Sequence, residues 1–125
     1  MRKSLSVAVL LVGLLAACSS DRDEGAVHVI RADGTVGPIM ERYLDRALDD
    51  AEDSNATVAV IELDTPGGLS TSMREIVQRI EQSEVPVIVY VSPIGGRAAS
   101  AGTFITMAGH IAAMAPNSSI GAAAA

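Results

Sequence analysis

The chain is predicted to fold as an α/β domain, a βαβ series around a mostly parallel sheet. Three observations predict it. Two strand-length apolar runs, Thr57–Leu63 and Pro86–Val91, carry almost no polar interruption, as parallel strands covered on both faces do. Segments with apolar residues at helical spacing lie between and around them. Each apolar run also ends in a turn of small residues that leads into the next helical segment, giving strand and helix in alternation.

The elements follow in order. Val27-His28-Val29-Ile30 is a short strand, and Gly34 and Gly37 punctuate a turn or a second short strand. Pro38 suits the first turn of a helix, where its missing N–H costs nothing. Ile39, Met40, Tyr43, Leu44, Ala47 and Leu48 fall on one face of that helix, with charges opposite. Asp45, Asp49, Asp50, Glu52 and Asp53 read as its solvated face and end; a metal site there would need converging ligands, and none is expected. After the strand Thr57–Leu63, a second amphipathic helix runs from about Ser70 to Gln82. Met73, Ile76, Val77 and Ile80 point inward, and Ser70 or Thr71 serves as its cap. The strand Pro86–Val91 leads through a small-residue stretch into a third helix at Ser100. His110–Met114 adds a short strand, and Pro116-Asn117-Ser118-Ser119 makes a turn.

Composition narrows the partners. The 125 residues carry a net charge of −6. Arg2-Lys3 followed by the apolar run from Leu5 to Ala17 fits a secretory signal peptide, since about 20 residues are needed to span a bilayer. Leu15-Ala16-Ala17-Cys18 resembles a lipoprotein lipobox, which makes Cys18 the expected lipidation site and the mature chain exported and membrane-tethered. An ordinary signal peptide and an uncut anchor are the alternatives. The expected organisation is signal peptide 1–17, polar tether 18–25 and folded domain 26–125. Without residues 1–17 the chain keeps seven basic and fifteen acidic residues, a net charge of −8. That balance argues against nucleic acid, whose phosphates need Lys and Arg. One cysteine excludes an intrachain disulfide, and the three aromatics, Tyr43, Tyr90 and Phe104, are too few for an aromatic platform. No phosphate-binding loop is present, and no cofactor is expected.

Chemistry concentrates in two turns. In Ser92–Thr103, Ser100 stands at the expected helix start between Ala99 and Ala101, with Gly102 beyond. So little bulk lets a carbonyl approach the hydroxyl, and a helix N-terminus favours developing negative charge. Ser100 is therefore a candidate nucleophile, or else an ordinary helix cap. The second turn, Asp64-Thr65-Pro66-Gly67-Gly68, can aim backbone N–H groups outward with no side chain in the way. Acyl transfer needs such donors for its oxyanion; a plain strand-to-helix turn is the alternative.

Three blocks carry a resemblance: DTPGGL at Asp64–Leu69, VPVIVYVSPIGGRAASAGTFI at Val85–Ile105 and HIAAMAPNSSIGAA at His110–Ala123. Together they resemble the NfeD-type membrane-associated serine proteases of the ClpP-like/crotonase superfamily. The resemblance spans Val27 to Ala123 and implies a ClpP/crotonase-like fold, incomplete at the C-terminus, and a peptidase with a Ser/Lys dyad. Residue by residue, Ser100 matches the nucleophile, Gly67 and Gly68 match the oxyanion turn, and the Ala101 N–H is the second donor. It further implies peptide or membrane-protein substrates, stomatin-like partners among them, and homo-oligomerisation.

One feature departs from the family. The base lysine is expected a few dozen residues after the serine, whereas Lys3 is the only lysine. Serine is a poor nucleophile without a base. His110, ten positions after Ser100, would lie about 15 Å away along a helix, and both it and His28 read as structural or surface residues. The expectation is that the chain is the N-terminal part of a longer reading frame. The alternatives are an inactive lipoprotein that keeps the fold as a binding or assembly module, and a crotonase-type acyl-CoA enzyme.

Overall fold

In the computed structural model, the structure describes residues 25–123. The signal peptide, Cys18 and all of the tether except Gly25 lie outside the described residues. The elements are β1 (Val27–Asp33), α1 (Pro38–Asp53), β2 (Val58–Asp64), α2 (Ser70–Glu81), β3 (Val87–Val91), β4 (Arg97–Ala99), α3 (Ala101–Ala108), β5 (Ile111–Met114) and β6 (Ser119–Gly121).

The main sheet has the order β1-β2-β3-β5 and is parallel throughout. Its register aligns Ile30, Ile61 and Val89 in one row and Ala32, Leu63 and Val91 in the next. These rows are buried, and Met40, Leu44, Leu48, Ala51, Ile76, Ile80 and Ile105 of the three helices complete the core. The parallel alternation holds as predicted. All four strands run the same way, so Asp33, Asp64, Val91 and Met114 mark one edge of the sheet, where an α/β fold places its site.

Coverage differs from expectation. Val29, Val60, Ile88 and Ile111 form a row on the opposite face, where Val29 and Ile111 are exposed. Strand burial thus alternates, and among the described residues only one face is packed against helices. Apolar content on both faces of a strand did not distinguish covered from uncovered faces.

The helices follow their apolar stripes with two corrections. Ile39 and Tyr43 are exposed, because the buried stripe of α1 is Met40, Leu44, Leu48 and Ala51. Residues 39 and 43 sit one position earlier, about 100° round the helix. In α2, Leu69 rather than Ser70 or Thr71 is the N-cap, with no side-chain cap hydrogen bond. Its backbone is instead tied to the β1–α1 connection, where the Leu69 N–H donates to the Val36 carbonyl at 2.9 Å.

The acidic end of α1 is more organised than a solvated face. Arg79 of α2 pairs with Asp45, Asp49 and Glu52 at 3.0, 2.8 and 3.1 Å. Glu52 also accepts the Ser83 hydroxyl and the Glu84 N–H. The Arg79 hydrogen bonds hold the Glu52 carboxyl below the usual carboxylate range, outweighing its partial burial. Arg79 thereby fastens α1 to α2, and Glu52 fastens α1 to the loop before β3.

Candidate active site

The site is built where β2 ends beside the start of α3. The Thr65 N–H donates to the Arg97 carbonyl at 2.7 Å, and the Ala99 N–H donates to the Thr65 carbonyl at 3.0 Å. The Asp64 carboxylate accepts the Arg97 N–H at 3.0 Å. This short pairing prolongs β2 across β4, and it carries the chain straight into Ser100.

Ser100 has φ 53° and ψ −116°, a conformation that an L-residue reaches only under local strain. It occupies the N-cap position of α3 but makes no side-chain cap hydrogen bond. The local sequence permits this elbow because its inner neighbours are small. Ala98 is fully buried, and a Cβ on Gly102 would stand 2.5 Å from the Thr65 Cγ2. Any larger residue at 102 would push α3 away from the turn.

Strand β6 fixes the elbow from the other side. The Ser100 N–H donates to the Gly121 carbonyl at 2.8 Å. The Thr103 hydroxyl donates to that carbonyl at 2.9 Å and accepts the Gly121 N–H at 3.1 Å. β4 and β6, a parallel pair, were not foreseen. Three-residue strands of small side chains carry no periodic signal, and nothing in the local pattern marked Thr103 as a partner of Gly121.

The glycine turn lies against Ser100. Gly67 has φ 106° and is buried; a Cβ there would stand 2.7 Å from the Ser100 Cβ and 3.3 Å from its Oγ. Gly68, at φ 157°, is pinned to Val36 by the flanking hydrogen bonds from the Val36 N–H to the Gly67 carbonyl and from the Leu69 N–H to the Val36 carbonyl. The Gly67 N–H points inward and donates to the Thr65 Oγ1 at 3.1 Å. Gly68 is exposed, and Ala101, as the first residue of α3, has an N–H with no intrahelical acceptor.

Neither histidine joins this group. The Nδ1 of His110 accepts the Val87 N–H at 3.0 Å, at the opening of β3 and so at the opposite end of that strand from the serine elbow. His28 is the second residue of β1, likewise at the amino end of the sheet. Among the described residues no helix is long and apolar enough to cross a membrane.

Comparison with known proteins gives the family and the fold. The family described as NfeD1b, N-terminal domain, matches residues 26–125. The membrane-bound protease PH1510 of Pyrococcus horikoshii is 44% identical over 122 residues, which make up 98% of this chain and 27% of that protein. A solved structure of the 1510-N membrane-bound stomatin-specific protease, a lysine-to-alanine mutant in complex with a substrate peptide, superposes with a TM-score of 0.79 at 48% identity. The match covers 81% of this chain and 46% of that one. ClpP1 from Listeria monocytogenes has the same fold, with a TM-score of 0.66 at 21% identity over 73% of this chain and 53% of that one. The chain spans 27% and 26% of the lengths of the curated relatives it matches.

Proposed function

The chain belongs to the NfeD1b N-terminal-domain family, and from that premise we propose that it is the nucleophile-bearing part of a membrane-associated serine endopeptidase. The observation that carries this reading is the strained Ser100, held with its hydroxyl beside Gly67 and free of any capping role. Strain of this kind costs about 1–3 kcal/mol and persists where function requires the geometry.

In this reading Ser100 Oγ attacks the scissile carbonyl while a lysine takes its proton. The oxyanion is received at the Gly67–Gly68 turn and Ala101. Within that group Gly67 shapes the turn, and the N–H groups of Gly68 and Ala101 act as donors. The lysine then protonates the departing amine, and water releases the acyl group from Ser100. Lys3 is the only lysine of residues 1–125, so the base is assigned to polypeptide outside this range. The lysine-to-alanine mutant of the related protease, solved with a substrate peptide, supports that assignment. The substrate class is an extended peptide, with segments of stomatin-like membrane proteins as first candidates, and Cys18 is assigned as the lipid attachment point of an exported protein.

The test is labelling by a fluorophosphonate in protein expressed from its complete reading frame. Wild type is expected to label and Ser100→Ala is not, and mutating a lysine a few dozen residues past Ser100 is expected to slow labelling by several orders of magnitude. A wild type that binds peptide without labelling would replace the peptidase by a binding module of the same fold.

A further inference from the structure

Thr65 touches both halves of the candidate site, by hydrogen bond to the glycine turn and by packing against the start of α3. It is fully buried. Its Oγ1 accepts the Gly67 N–H at 3.1 Å and faces the Gly67 carbonyl at 3.4 Å, closing a tight side-chain turn around Pro66. Its backbone pairs with Arg97 and Ala99 on either side of Ala98, the strand that delivers Ser100. Its Cγ2 fills the space that Gly102 leaves at the start of α3.

We infer that Thr65 is a positioning residue for the serine chemistry: its hydroxyl turns the Gly67 N–H inward and so presents the next N–H, that of Gly68, as the donor beside Ser100. The inference rests on the peptidase reading and adds to it a residue that neither meets substrate nor moves a proton. The glycine turn holds two N–H groups, either of which could face the serine. Two successive N–H groups in a glycine turn can rotate together at little steric cost. A buried acceptor fixed by two backbone hydrogen bonds removes that freedom, because swinging Gly67 outward would leave the Thr65 oxygen and the Gly67 N–H unpaired. Arg97 and Ala99 hold Thr65 itself, so the donor and the nucleophile are set relative to one frame.

A pair of variants isolates the hydroxyl. Thr65→Ser and Thr65→Ala both lose Cγ2 and differ only in Oγ. In the protein expressed from its complete reading frame, Thr65→Ser is expected to keep most of the wild-type kcat on a peptide substrate. Thr65→Ala is expected to lose about tenfold to a hundredfold in kcat with KM little changed, the signature of a misplaced transition-state donor. Amide hydrogen exchange at Gly67 is expected to be slow in wild type and Thr65→Ser and fast in Thr65→Ala. Equal kcat in the two variants, or slow exchange at Gly67 in Thr65→Ala, would overturn the assignment while Ser100→Ala stays inactive. Cleavage undiminished in Ser100→Ala would overturn the serine reading, and the Thr65 role with it.

Discussion

Gly67 lies against the side chain of Ser100: a Cβ on the glycine would lie 2.7 Å from the Cβ of the serine and 3.0 Å from the carbonyl of Ala99. The turn after β2 and the elbow before α3 therefore meet at a point where no side chain fits. Gly67→Ala is expected to destabilise the fold by about 1–3 kcal/mol, through both the positive φ and the overlap. It is also expected to abolish fluorophosphonate labelling even at temperatures where circular dichroism reports a folded chain. Full labelling of Gly67→Ala would show that the two segments separate without consequence.

The strain at Ser100 predicts opposite effects on stability and activity. Ser100→Gly relieves the φ of 53°, whereas Ser100→Ala retains it. Glycine also loses more backbone entropy on folding, about 0.5–1 kcal/mol, which offsets part of the gain. Urea unfolding is expected to place Ser100→Gly about 1 kcal/mol above Ser100→Ala, with both inactive. Equal stability of the two variants would mean that the elbow relaxes in solution.

The Arg79 clasp makes stability depend on acid. Hydrogen bonding from Arg79 holds the Glu52 carboxyl below its ordinary range in the folded chain. A carboxyl lowered on folding contributes stability that is present above the unfolded-state value and lost as pH falls through the folded-state value. Glu52→Gln is expected to cost about 1–3 kcal/mol at neutral pH, as loss of charge-assisted hydrogen bonds does. The gap between variant and wild type should close as the pH drops below the usual glutamate range, measured by urea titration at several pH values. A gap that is constant with pH would assign the cost to packing.

His110 offers a contrast with the serine site. Its Nδ1 accepts the Val87 N–H, so His110→Ala is expected to lower stability by about 0.5–1.5 kcal/mol and to leave the labelling rate of Ser100 unchanged. His110→Asn, which can restore an acceptor, should recover part of the loss. A labelling rate that falls with His110→Ala at full folding would bring the histidine back as a base.

Much of this was legible along the chain. The three βαβ repeats, the buried stripe of α1 from Met40 to Leu48 and the placement of Ser100 at a helix start each followed from local periodicity and small-residue turns. The shoulders of α1 were misjudged, since Ile39 and Tyr43 are apolar but have no partner among the described residues. Arg79 gave no sign that it gathers Asp45, Asp49 and Glu52, because its partners lie a helix and a strand away in sequence.

The sequence alone determined the parallel α/β architecture and the identity of the two turns, because apolar period and glycine position act over a few residues. Only the tertiary structure decided which amide of the glycine turn faces inward. That depends on Thr65, a residue in the turn that draws its fixed position from Arg97 and Ala99, more than thirty positions away. It also decided the short β4–β6 pair and the strained backbone of Ser100. Each of these is set by hydrogen bonds between distant segments, whose geometry local patterning does not encode.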